Sequence, residues 1–157
     1  MPAYDDILVA LRRITRAIDI QSKRLAKVSG LTAPQLLVMQ AIRKQGQAKP
    51  SSIAQDVLLS QATVTTIIDR LETSELVSRE RSTADRRVVF ISLTETGRER
   101  LLKAPELLQA GFIRELDKLE DWERSLIVAS LQRVAAMMDA DDIEAAPILE
   151  VGDLTSE

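Results

Sequence analysis

The chain has 157 residues, 45% hydrophobic but only 3% aromatic, with a net charge of −3; that is apolar material for one compact domain or two small ones, and its aliphatic bias favours helices. It contains neither cysteine nor histidine, which excludes disulfides, thiol redox switches, Cys/His zinc sites and every nucleophile that depends on an imidazole or a thiol. The charge is graded: residues 1–50 carry nine Lys/Arg against three Asp/Glu, residues 51–98 six against seven, and residues 99–157 six against fourteen, so the net value is a poor guide to the partners of the first two thirds.

The opening "MPAYDDILVAL" places two aspartates where a secretory signal is basic, and no apolar run is long enough to span a bilayer, so the expected compartment is the cytoplasm with no membrane partner. Ile7, Leu11, Ile14, Ile18, Leu25 and Val28 recur at helical spacing and predict an amphipathic helix over 5–28, stopped by Gly30. "LTAPQLLVMQAIRKQG" predicts a second helix over 33–45, with Thr32 and Gln35 in capping-box spacing, Pro34 in the first turn and Gly46 as the stop. "KPSSIAQDVLLSQATVTTIIDRLETSELV" reads as two short helices. Ser51 or Ser52 is the expected cap of the first and Ser60 of the second, and the tight link at 58–60 is that of a helix-turn-helix. In the second helix Val64, Ile67, Ile68 and Leu71 must face inward. Gln61, Thr63, Thr65, Thr66, Asp69 and Arg70 remain outward, a short polar face suited to close approach.

"LVSRER" and "RRVVFISL" are β-like, with Val89, Ile91 and Leu93 on one face, and "STAD" between them is a polar turn. A hairpin directly after a helix-turn-helix is a wing. Thr94 is the expected cap of the next helix, and Pro105 and Gly111 predict a kink or break inside it. The last helix is expected over 120–138. Its seam of Ile127, Leu131, Val134 and Met138, like that of Ile7, Leu11 and Ile14, has little intramolecular surface to cover it, so pairing with a second copy is the economical solution. The tail, 141–157, is acidic and expected to be irregular, with Ile148, Leu149 and Val151 as the residues that could pin it.

This order of elements resembles the MarR family of bacterial winged-helix transcription regulators over roughly residues 5–140. The residues that carry the resemblance are "LTAPQLLVMQAI", "SQATVTTIIDRLETSELVSR" and "DRRVVFISLTETG", the last with the family's Asp-x-Arg wing signature followed by Leu-Thr. Two departures affect turns: Glu75 stands where the family often has Gly, and Ser82, Thr83 and Ala84 where it often has Pro. The implied fold is mainly α with a small β-hairpin wing, a winged helix-turn-helix over 31–99 and a helical dimerisation region over 5–30 and 100–140. The implied partners are double-stranded DNA and a second copy of the chain, with no cofactor and no enzymatic activity.

For such a protein Gln61 is the expected contact to base edges, Ala62 and the methyls of Thr63 and Thr65 to thymine methyls, and Ser60, Thr66 and Arg70 to phosphates. Arg86 and Arg87 at the wing tip suit a minor groove, Arg87 being the inserted residue by resemblance, while Asp85 can hold one of them in a fixed rotamer or tie the wing to the body, and Arg79 and Arg81 are expected to touch phosphate. The basic residues of the first helix, Arg12 to Lys27, read as a solvated face, and Phe112 and Trp122 as packing or interface. The acidic clusters "DADD" and "LEDWE" lack the spacing of a cation-binding loop. "LRRITRAID", "LTAPQLLVMQ" and "MMDADDIEAAPIL" further resemble regulators of compatible-solute (ectoine-type) genes, which implies a small-molecule effector or an ionic-strength response. The alternative from another class is a helical protein-interaction module without DNA binding.

Overall fold

In the computed structural model, which describes residues 3–143 with 148 and 149, the chain runs α1 (Ala3–Ser29), α2 (Ala33–Gln45), α3 (Pro50–Val57), α4 (Gln61–Thr73), β1 (Val77–Arg81), β2 (Val89–Leu93), α5 (Glu95–Lys103), α6 (Leu108–Asp117) and α7 (Asp121–Met137). It is a mostly helical fold with one two-stranded antiparallel hairpin. Two compact units divide it, residues 1–105 with 147–157 and residues 106–146.

The larger unit is built around α2. Thr32 Oγ1 accepts from Gln35 N at 3.3 Å and Gln35 Oε1 from Thr32 N at 3.0 Å, so the expected capping box forms and two otherwise orphaned N–H groups are satisfied. Gly30 and Gly46 take positive φ, 68° and 77°, and end α1 and α2 as expected. Leu36, Val38, Met39 and Ile42 of α2 are buried with Ile53, Val57, Val64, Ile67, Ile68, Leu71 and Ile91, as α2 packs on α3, α4, α5 and β2. Each such side chain contributes about 1.5–3 kcal/mol by leaving water.

Neither Ser51 nor Ser52 caps α3. Lys49 is the N-cap, without a side-chain bond, and Pro50 opens the helix; proline's fixed φ and missing N–H suit the first helical position, which moves the start upstream and leaves both serines inside the first turn. Asp56 of α3 accepts from Gln45 Nε2 at 3.2 Å and from Lys44 Nζ at 3.4 Å. The Gln45 hydrogen bond, with Lys44 assisting, holds its carboxyl below the ordinary aspartate range.

β1 and β2 pair from Val77↔Leu93 to Arg81↔Val89. Ile91 and Leu93 are buried beside Val77, and Val89 is half-buried, whereas β1 is exposed from Ser78 onward, so the hairpin is anchored at its base and free at its tip. An isolated bridge on the far side of β2 from β1 went unforeseen: Ala48 N donates to Ile91 O at 3.0 Å and Ile91 N to Ala48 O at 2.7 Å. One residue has no periodicity to read.

α5 ends before Pro105 and α6 begins at Leu108, so the expected break falls at the proline, which cannot donate to a helix, while Gly111 is accommodated inside α6. In the smaller unit Arg114 pairs with Glu106 through both terminal guanidinium nitrogens, Nη2 at 2.9 Å, and at the start of α7 Glu123 Oε2 accepts from Glu120 N at 2.8 Å. No residue of α6 or α7 is buried. Of the acidic tail, Ile148 is buried and Leu149 exposed; Val151 lies outside the described residues. No described helix is long and apolar enough to cross a membrane.

Candidate nucleic-acid interface

α4 opens at Ser60, whose Oγ accepts from Thr63 N at 3.1 Å and donates to Thr63 Oγ1 at 2.8 Å. Val64, Ile67, Ile68 and Leu71 are at most 2% exposed, so the inward face is as expected. Gln61, Ala62, Thr65, Asp69 and Arg70 are exposed and Thr63 and Thr66 half-buried. The threonine hydroxyls turn back on the helix: Thr65 Oγ1 donates to Gln61 O at 2.8 Å and Thr66 Oγ1 to Ala62 O at 3.1 Å. Both hydroxyl donors are thereby spent on the helix's own carbonyls.

This separates the three expected phosphate contacts. Phosphate oxygens only accept, and Ser60 and Thr66 already spend their donors within α4. Arg70 is exposed and has no ion pair among the described residues. It lines an open groove with Gly30, Thr32, Gln35, Asp69, Thr73 and Ser74.

α4 ends in a Schellman motif: Leu76 N donates to Leu71 O and Glu75 N to Glu72 O, both at 2.9 Å, with Leu71 and Leu76 buried together at the exit. Glu75 occupies the left-handed position, φ 59°, where the family often has glycine. The motif turns the chain directly from α4 into the wing.

The wing tip is a turn over 82–88 rather than the four residues of "STAD". Ser82 N donates to Val88 O at 2.9 Å, Val88 N to Asp85 O at 3.0 Å and Ala84 N to Ser82 Oγ at 3.2 Å. Arg86 and Arg87 lie in this turn, not on β2, and are exposed, as is Arg81. Asp85 Oδ1 accepts the backbone N–H of Arg87 at 3.0 Å. What it holds is therefore the main chain, and no guanidinium pairs with it among the described residues, so neither arginine's rotamer is fixed through it.

Arg79 departs furthest from expectation. Its Nη2 is bonded to Asp69 Oδ1 and its Nη1 to Glu72 Oε1 at 3.3 Å, so the guanidinium reaches from the wing strand to α4 instead of standing free for a phosphate. Sequence reasoning noted Asp69 on the outward face without a partner for it. An acidic residue on a face expected to meet a polyanion was the available signal.

The residues expected to pair with a second copy are exposed or half-buried. Ile7 and Ile14 of α1 are 49% and 50% exposed, Leu131 of α7 and Met138 just beyond it 49% and 57%, while Leu11, Ile127 and Val134 are half-buried. Trp122 and Phe112, at 67% and 46%, do not belong to a protomer core. No group of acidic residues suited to a metal ion occurs among the described residues.

A family model described as MarR family matches residues 31–89, the span from the end of the α1–α2 link into β2. The HTH-type transcriptional repressor MdtR of Bacillus subtilis is 31% identical over 133 residues, covering 83% of this chain and 86% of the relative. Among solved structures, the YusO protein of Bacillus subtilis superposes with a TM-score of 0.54 at 30% identity, covering 85% of this chain and 94% of its own. The transcriptional regulator BldR of Sulfolobus solfataricus gives a TM-score of 0.54 at 26% identity, covering 87% and 99%.

Proposed function

This chain belongs to the MarR family of winged-helix transcription regulators, which bind DNA and are not enzymes, and from that premise we propose that it acts as a cytoplasmic homodimer on a pseudo-palindromic operator. The observation that carries the reading is the pairing, in one compact unit, of an exposed polar α4 face with a wing tip whose Arg86 and Arg87 are exposed and have no ion pair among the described residues. α4 enters a major groove, with Gln61 at base edges, Ala62, Thr63 and Thr65 against thymine methyls, and Arg70 and Arg81 on phosphates, joined by Ser60 and Thr66 once their hydroxyls rotate. Arg87, fixed through its own backbone by Asp85, enters the flanking minor groove with Arg86 beside it.

The exposed apolar residues of α1 and α7 support the dimer, since a lone protomer would leave them in water. Two recognition helices on one dimer require half-sites about 10 bp apart. The function of MdtR as a repressor supports repression here. The resemblance to compatible-solute regulators adds osmolyte genes as targets and ionic strength as a signal, because displaced counterions make any such complex salt-sensitive. A change in lobe separation, driven by salt or a small-molecule effector, would release the operator.

Footprinting on the protein's own upstream region, repeated across salt concentrations and candidate solutes, tests this reading. A protected tract with two-fold symmetry is expected. Protection nowhere, with the dimer intact, would favour a helical protein-interaction module instead.

A further inference from the structure

Arg79 sits opposite Ile91 in the hairpin ladder, yet its side chain crosses to α4 and bridges Asp69 and Glu72. Asp69 follows Gln61 and Thr65 at four-residue intervals, so it lies on the same stripe of the helix that the interface reading turns toward DNA. Its side chain is 57% exposed and that of Glu72 42%. Among the described residues no other cation pairs with either carboxylate. Left alone, these two charges on adjacent turns would face the phosphate backbone and repel it, since like charges across a binding surface oppose association.

We propose that Arg79 is a positioning residue that never touches DNA: by neutralising Asp69 and Glu72 it permits the recognition helix to lie against a polyanion. This rests on the assignment of α4 and the wing as the interface. An exposed ion pair adds little to folding, so the contribution of this bridge appears in the complex rather than in the stability of the protomer. One guanidinium suits the task because its planar fork reaches two carboxylates from a single strand position.

The test is a mutant cycle read on a duplex that the wild-type protein enriches from a random-sequence pool. Arg79→Ala should weaken binding about tenfold or more in the native background, but less than about twofold when Asp69→Asn and Glu72→Gln are already present, because neighbouring groups that act together are not additive. Arg79→Lys, which keeps the charge, should stay within about threefold of wild type. Arg79→Gln carries the same cycle if the alanine variant does not fold. Equal losses in both backgrounds would mean that the guanidinium contacts DNA itself and would overturn the assignment. A loss of affinity or of base preference on Asp69→Asn and Glu72→Gln alone would mean that the carboxylates read the DNA, and would overturn it too. If the wild-type protein enriches no duplex, the interface reading itself fails, an outcome distinct from either of these.

Discussion

Gly97 lies so close beneath Leu76 that a Cβ added to it would stand 2.0 Å from the Leu76 carbonyl oxygen and 3.0 Å from its carbon. That carbonyl also accepts from Thr94 N at 3.1 Å, while Thr94 Oγ1 donates to Glu75 O at 2.7 Å and accepts from Gly97 N at 2.9 Å. The start of α5 and the start of the wing are therefore held by one cluster of bonds. Gly97→Ala gains about 1 kcal/mol of helix propensity, but the clash is with backbone and overpacking typically costs about 1–3 kcal/mol or more. The clash should win, seen as a net loss in urea unfolding with the slope unchanged.

Glu75 is the opposite case. It holds φ 59° at the position after the α4 cap, where a side chain costs about 1–2 kcal/mol that glycine avoids. Glu75→Gly should raise stability by up to about 1 kcal/mol after the entropy of the unfolded chain is counted. Glu75→Ala, which keeps the Cβ, should not. A gain from both would mean that the charge, not the backbone, was at fault.

At the wing tip, Arg87→Ala is expected to cost about 1–3 kcal/mol of operator affinity with the dimer intact, as for a single direct contact. Asp85→Ala should reproduce part of that loss because the turn that presents Arg87 hangs on Asp85 Oδ1. Asp85→Asn retains an acceptor oxygen and should bind nearly as wild type. Titrating labelled operator with each variant separates the three, and a deficit for Asp85→Asn as deep as that for Asp85→Ala would show that the charge matters more than the acceptor.

Leu131 is 49% exposed on α7, so Leu131→Glu should leave the protomer folded while opposing self-association. Sedimentation should report half the native mass, and operator binding should weaken about 100-fold or more as two linked half-site contacts become one. A variant that remains dimeric would remove Leu131 from the interface.

The elements were legible because their signals are local. Thr32, Pro34 and Gln35 lie within four residues of one another, as do Ser60 and Thr63, and Thr94 and Gly97, so the bonds that start α2, α4 and α5 can be read as strings. Val64, Ile67, Ile68 and Leu71 announce the buried face of α4 by spacing alone, because a helix returns to the same side every three or four residues. The start of α3 was misplaced for an equally local reason, in that Pro50 outweighed the serines that follow it.

The order of elements, the family they resemble and a candidate patch for DNA could all be read along the chain. How that patch is wired depends on contacts distant in sequence. Arg79 lies ten residues from Asp69 and seven from Glu72, Ala48 forty-three from Ile91, and Gly97 twenty-one from Leu76. No short-range periodicity links such pairs, since their meeting depends on the Schellman turn at Glu75 folding the wing back toward α4 and on α2 carrying Ala48 to the edge of β2. The chain alone grouped Arg79 with Arg81 and Arg86 with Arg87, and packing regrouped them: Arg79 onto α4, and Arg81, Arg86 and Arg87 into solvent.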